Sequence, residues 1–433
     1  MGGKNVYSID KECIKKRHCN ELKGCVFAVD YTHQLYRIMI GIKNKKRNND
    51  VKIHAYIDIN LVNPEGNKCI NELIEYEDKV AHLIATCAFV ELLNEKCVFG
   101  IMVYDGKAPN LKRKKLDERK RNRERAKEEC KKIEDKTSDD YVRQHKRSVE
   151  LRDSHFKETK ELLKAMGLII VQSPGEADSQ CAAIASSLQD VEAVITGDSD
   201  VLIFEAPKVI NNFSRKNTII NEVKLSDILQ SLKNKANKIL TKNSKKELLE
   251  FTHEKFVEYC IMQGTDYNDP IYGIDSNKLL ELYVLNDLDV LKLFKYFKEQ
   301  NELEGTRYVI PPNFEQDFFN VREYYLNTDV INPLSIDRTI RAPDLSKMIE
   351  ILHKKNNFNI KFVRKLYNGL VYMYNLYYNI PFGSEWYNSF RSYQVKFHNN
   401  KFNKKNNTNK RCSIEEKKYI NNNNMSCTKA IEV

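Results

Sequence analysis

Apolar residues gather in five short runs: CVFAVD at 25–30, CVFGIMVYD at 97–105, GLIIVQS at 167–173, AVIT at 193–196 and KVINNF at 208–213. The runs are rich in Val and Ile and near-continuous rather than alternating. Strands read this way when a parallel sheet is covered on both faces. Between them the period changes. In ETKELLKAM, residues 158–166, Leu162, Leu163 and Met166 share one helical stripe, and Gly167 stops it. Strand alternating with helix predicts an α/β fold with a mostly parallel sheet covered by helices.

Two stretches break the alternation. Residues 43–68 are polar, carry Asn-Asn-Asp and Asn-Pro-Glu-Gly turn signals, and read as an insertion. Residues 112–146 open KRKKLDERKRNRERAKEE and have almost no apolar stripe, so they predict an exposed helix or a mobile element over a ligand, not a core helix. Further on, HEKFVEYCIMQG and SNKLLELYVL predict two helices around a turn at 253–286, and a second helical pair is expected at 344–353 and 360–378. From residue 399 the chain is Asn- and Lys-rich and predicts a disordered tail. No internal repeat is visible.

Composition narrows the class. The chain has 433 residues, 41% of them hydrophobic, enough for a sizeable core, with 30% charged and a formal net charge of +11. That balance favours a polyanion as partner, nucleic acid before membrane. The start MGGKNVYSIDKEC lacks an apolar core, and Val6 stands where a myristoylation pattern needs Ser or Thr. No apolar run approaches the ~20 residues of a membrane span. The expected setting is intracellular. The 11 cysteines include no C-x-x-C pair, so neither zinc nor disulfides are expected.

The strand ends carry the chemistry. The first ends in Asp30, the second in Asp105-Gly106. The third runs into Pro174-Gly175-Glu176-Ala177-Asp178 and the fourth into Gly197-Asp198-Ser199-Asp200. Asp266 follows in QGTDY. A single strand-terminal Asp often only caps the next helix. Four acidic endings on one carboxyl edge are different, because that edge is where ligands bind in open α/β sheets. Crowded carboxylates repel unless cations neutralise them, and hard oxygen ligands suit Mg²⁺ or Mn²⁺. A pair of such ions ~4 Å apart can clamp the attacking water and the leaving oxygen of a phosphodiester.

At these residues the chain resembles the flap endonucleases of the XPG nuclease family. The segments VFAVD, VYDGKAPNLK, SPGEADSQCAA, ITGDSDVLIF and CIMQGTDYNDPIYGI stand in family order, and weaker similarity continues to about residue 370. The resemblance implies a PIN-like 5′ nuclease core, two Mg²⁺ ions replaceable by Mn²⁺, and hydrolysis of branched or flapped DNA at a 5′ flap in replication and repair. By resemblance, Asp30, Asp105, Glu176 and Asp178 surround one ion, and Asp198, Asp200 and Asp266 the other. Asp178 stands where the family usually has Glu. Lys112 and Arg119 match the basic pair that steers the scissile phosphate, and Tyr36 matches an aromatic that stacks on a base beside the cut. The basic stretch looks like the helical arch over the 5′ single strand. Gly273 and Lys278 fall in the element that takes duplex phosphates on backbone N–H groups.

The implied layout is a nuclease region over 1–110, an arch over 111–150, a second nuclease region with the duplex-binding element over 151–380, and a tail over 381–433. The implied location is the nucleus or a site of viral DNA replication. Three departures stand out. Gly273-Ile274-Asp275 replaces Gly-Ile-Gly, which puts the monovalent-ion and phosphate contact there in question. The insertion lengthens the region after the first helix. Gln394-Val395-Lys396-Phe397 begins like a sliding-clamp peptide, but Asn400 and Lys401 replace its aromatic pair. Clamp binding is therefore left open. So are a 5′→3′ exonuclease or gap and junction nuclease of the same family, a structure-selective RNase, and a non-catalytic DNA-binding scaffold.

Overall fold

The computed structural model describes residues 10–43, 56–66, 70–246, 250–305 and 308–378. The tail, the clamp-like peptide and much of the insertion lie outside these residues. Seven strands form one sheet: β1 (Ile14–His18), β2 (Val26–Asp30), β3 (Phe99–Tyr104), β4 (Ile169–Gln172), β5 (Val191–Ile195), β6 (Lys208–Asn211) and β7 (Ile219–Lys224), in the order β1-β7-β6-β5-β2-β3-β4. The stretch from β6 to β4 is parallel, while β7 and β1 add antiparallel pairings at one edge. Residues on both sides of the basic stretch build this sheet, with β2 and β3 before it and β4 to β7 after it.

The near-continuous apolar runs have a direct cause. Along β2, Ala28 enters one core while Phe27 and Val29 enter the other. Likewise Ile101 and Val103 of β3 face one way, and Met102 and Tyr104 the opposite way. One face is covered by α1 (Tyr31–Lys43), the short α2 (Ile59–Val62), α3 (Ile70–Lys79), α4 (Ala81–Lys96) and the later α7 (Asp153–Ala165). Helices α8 (Ala177–Ser187), α9 (Leu225–Lys242), α10 (His253–Met262), α11 (Ser276–Leu285), α12 (Val290–Glu304) and α13 (Phe314–Leu326) build the other face. The last pair is α14 (Leu345–Met348), continued as a π-helical segment Ile349–Lys354, and α15 (Ile360–Tyr377).

Four features differ from the expectation. Strands β1 (IKKRH) and β7 (IINEVK) interleave charged and apolar residues and lie outside the five predicted runs. Their pairing rests on partners distant in the chain, with Arg17 bonded at 3.1 Å to Glu192 and at 2.5 Å to Glu222, which is buried. Helices α9, α12 and α13 lie outside the predicted elements. The insertion begins only after Lys43, which ends α1, and its described part is not simply polar. Tyr56, Ile57 and Val62 are buried, with the Tyr56 ring 4.4 Å from that of Phe362. Finally, the basic stretch is two helices, α5 (Arg113–Lys132) and α6 (Asp139–Arg147). α5 buries only Ala126, as its pattern demands, but α6 buries Tyr141, Val142 and His145.

Candidate active site

The strand order creates the site. The chain leaves β2 for β3 and β4 on one side, then returns to place β5 on the other side of β2. This reversal is the switch point where an open α/β sheet leaves a crevice at its carboxyl edge. Asp30, the last residue of β2, is level with Val103 of β3, while Val29 is level with Ile195 of β5. Asp105 and Asp198 therefore flank Asp30.

Backbone turns fix each acid. The His33 N–H donates to Asp30 Oδ1 at 3.0 Å, and the Thr196 hydroxyl lies 3.3 Å from Oδ2. Asp105 Oδ1 accepts the Ala177 N–H at 2.7 Å, so it caps the start of α8 from another strand. The Gly106 N–H donates to the Gly175 carbonyl at 2.6 Å, and a Cβ on Gly106 would lie 2.1 Å from the Ser173 carbonyl oxygen. The Asp-Gly pair is thus needed to seat strand β3 against the acid-bearing loop. Asp198 and Asp200 share one turn, with the Asp200 N–H donating to Asp198 Oδ1 at 3.1 Å. Gly197 leaves room for the His33 ring, which would be 2.7 Å from a Cβ there.

The electrostatics are those of a site short of cations. Burial, then the charges of Asp105 and Asp198, holds the Asp30 carboxyl well above the usual carboxylate range. Asp178 is raised likewise, by burial and then by Asp30, Asp198 and Glu176. Asp200 is pushed up to about 8, by burial before Asp198 and Asp266. Asp105, at the solvent-open rim, is raised by the protein packed around it and by Glu176, against the bond from Ala177. Asp178 Oδ1 and Asp266 Oδ1 are buried without a hydrogen-bond partner. Such groups are costly unless something pairs with them.

The cations that reach this cluster are side chains. Lys112, in the turn before α5, bonds Glu176 Oε1 and lies 3.5 Å from Asp266 Oδ2. Burial alone would lower its pKa, but these two carboxylates outweigh that and raise it. Arg119, in the second turn of α5, donates to Asp266 Oδ2 at 2.6 Å. The donor set, the orphaned oxygens and the raised carboxyls fit hard divalent ions. Among the described residues no three acidic, histidine or cysteine side chains already surround one point closely enough to hold an ion.

The acids and the basic pair come together; the other sequence candidates do not join them. Tyr36 is half-buried on α1 and packs on the α4 side of the sheet. Gly273, at φ +82°, lies in the separate turn between α10 and α11, and Lys278 in the first turn of α11. An open pocket of about 500 Å³ there is lined by Lys115, Thr265, Tyr272, Gly273 and Ser276, among others, so it adjoins the base of α5. Asp275 caps α11 itself, accepting the Asn277 and Lys278 N–H groups at 2.9 and 3.1 Å. The N–H groups expected to meet phosphate are already bonded by this chain's own departure from the family pattern. Two residues at the acid cluster were not anticipated. The hydroxyls of Tyr267 and Tyr324 both bond Glu176 Oε2, Tyr324 at 3.2 Å. Burial, more than the carboxylate, raises both phenols, which keeps them protonated donors. Tyr267 adjoins Asp266 and could have been read from its motif; Tyr324 has no local signal.

A parallel sheet whose carboxyl edge gathers seven acids beneath a basic helix defines an α/β nuclease. A model of the XPG I-region matches residues 167–266, from the start of β4 to Asp266. Flap endonuclease 1 of Tetrahymena thermophila is 25% identical over 350 residues, covering 80% of this chain and 81% of that protein. Flap endonuclease 1 of Plasmodium falciparum is 26% identical over 373 residues, covering 83% of this chain, which spans half of that longer protein. The solved flap endonuclease-1 from Methanococcus jannaschii shares the fold, with a TM-score of 0.53 and 21% identity over 85% of this chain and 98% of its own. In these respects the chain is similar to the XPG/flap endonuclease family.

Proposed function

We propose that this chain is a divalent-metal-dependent, structure-specific DNA endonuclease that hydrolyses phosphodiester bonds at 5′ flaps, with Mg²⁺ as the working ion and Mn²⁺ as a substitute. The single observation behind this is the carboxyl edge. Seven acids crowd there, the carboxyls of Asp30, Asp105, Asp178 and Asp200 are raised, two buried oxygens lack a partner, and Lys112 and Arg119 reach in from the base of the basic helix. The names of the relatives support flapped DNA as the substrate. Such an enzyme acts where DNA is replicated, in the nucleus or at a site of viral replication.

In this reading Asp30, Asp105, Glu176 and Asp178 hold one ion, and Asp198, Asp200 and Asp266 the other. When bound, the ions supply an activated water and stabilise charge on the phosphate. The chain's own side chains do the rest. Lys112 and Arg119 leave Glu176 and Asp266 and turn to the incoming phosphate, so the same two cations first neutralise the cluster and then the substrate. α5 and α6 guide the single strand by charge.

The test is a cleavage panel on labelled 5′-flap, nicked, gapped, recessed and single-stranded DNA with Mg²⁺, Mn²⁺ or chelator. Flap cleavage that needs the ion is expected. Faster cleavage of a recessed 5′ end would replace this reading with an exonuclease, and tight binding without any cleavage would leave a scaffold.

A further inference from the structure

Glu176 has both oxygens engaged, and from opposite sides. Oε1 is bonded by Lys112, which comes from the base of α5. Oε2 receives the hydroxyls of Tyr267 and, at 3.2 Å, of Tyr324. Tyr324 lies on α13, outside the matched region 167–266.

The phenol is held firmly. Its ring meets Tyr267 edge-on at 5.0 Å and Phe204 edge-on at 5.9 Å. Phe204 follows the turn that carries Asp200. The neighbouring Tyr325 packs 4.7 Å from Phe204 and 5.3 Å from Tyr267. Just beyond α13, Ile331 is clamped to Gln180 of α8 by two bonds, its N–H to Oε1 at 2.7 Å and its carbonyl to Nε2 at 3.0 Å. α13 is thereby tied to the helix that bears Asp178.

We propose that Tyr324 is a positioning residue for Glu176: with Tyr267 it pins Oε2, leaving Oε1, now paired with Lys112, as the oxygen that exchanges for an ion. The proposal rests on the reading of Glu176 as a metal ligand. Carboxylates that ligate ions are themselves hydrogen-bonded, and those outer partners typically matter by 10–100-fold in affinity or activity. A donor on Oε2 withdraws charge from that oxygen and stops the carboxylate rotating. The rotational freedom that ion binding would otherwise cost is already lost in the folded chain.

The test uses the full chain and Mn²⁺ alone, followed by the electron spin resonance of free Mn²⁺, for wild type, Tyr324→Phe and Glu176→Gln. Phe keeps the ring packing and removes only the hydroxyl. Tyr324→Phe should weaken Mn²⁺ about tenfold, the low end of such effects. Its melting temperature in chelator should match wild type, and the half-saturating Mg²⁺ for flap cleavage should rise in step. Wild-type Mn²⁺ affinity in Tyr324→Phe together with weakened binding in Glu176→Gln would overturn the role of Tyr324 and leave the metal reading standing. Unchanged Mn²⁺ affinity in Glu176→Gln would overturn both.

Discussion

The acid edge and α5 are the two most charged parts of the molecule, and they hold charge in opposite ways. At the edge, Asp30 is 4% exposed and Glu176 7%. The carboxyls of Asp30, Asp178 and Asp200 are pushed upward by burial and then by neighbouring acids. On α5, 20 residues long, only Ala126 is buried, and its pairs lie in water, such as Lys131 with Glu128 and Lys132 with Glu129. Exposed pairs of this kind are worth ~0.2–1 kcal/mol and fade with salt. Buried like charges act against folding, whereas dispersed exposed charges cost the fold little and act at long range. The first region is therefore suited to chemistry and the second to capture. Lys112 and Arg119 stand where they meet.

The largest expected effect tests the buried side. Asp200→Asn should lower single-turnover cleavage about a thousandfold. Losing one ion's stabilisation costs several kcal/mol, and ~1.4 kcal/mol is tenfold in rate. Flap affinity in Ca²⁺ should stay within about threefold, because a lost ion and a lost repulsion oppose each other. The same change should raise the melting temperature in chelator. Asp200 titrates at about 8 in the fold against ~3.9 unfolded, so its charge destabilises the fold increasingly as pH rises between those values. The gain should be greatest above pH 8 and vanish near pH 4. Near-normal cleavage would show that the edge is not the metal site.

The second test addresses the exposed side. Flap binding should fall about a hundredfold between 50 and 200 mM salt, from release of ions at four or more phosphates. A log-log plot with a slope near zero would remove the capture role from α5 and α6. Arg119→Ala comes next and probes the junction of the two regions. Arg119 meets Asp266 of the acid cluster, so its value should appear mainly in the transition state. Cleavage should drop at least tenfold while affinity drops less than threefold. Equal losses would make it an ordinary backbone contact.

The smallest effect is predicted where exposed charge only braces structure. Glu150 pairs with Lys127 at 2.7 Å and with Arg123 at 3.6 Å, next to the end of α6. Glu150→Ala should cost under about 1 kcal/mol by denaturant titration. A larger loss would mean that the basic helices are held by charge as firmly as the edge is by its turns.

Much of this was legible along the chain. The five parallel strands, the acids that end them, the basic stretch and the turn between α10 and α11 each carry a local signal. Burial on both faces demands apolar runs, a strand end leaves its last side chain at an edge, and a helix without a stripe must stay in water. Local signals also had limits. IKKRH and IINEVK become β1 and β7 by pairing with each other across the chain, with Arg17 bonded to Glu192 and Glu222. α6 buries Tyr141 and His145 only because α1 and α3 are there to cover them, with His145 Nε2 2.6 Å from Asp78 and 2.9 Å from the Lys43 ammonium.

The sequence by itself determined which residue types stand at the strand ends, and hence that the edge is acidic and the neighbouring helix basic. Only the tertiary structure decided their company. Strand order, a property of long-range pairing, set Asp105 and Asp198 on either side of Asp30. It made Asp105 the cap of α8, 72 residues away in the chain, and helix packing brought Tyr324 to Glu176 across 148. No periodicity within a segment encodes such meetings, because they depend on how whole elements pack and not on what each element is.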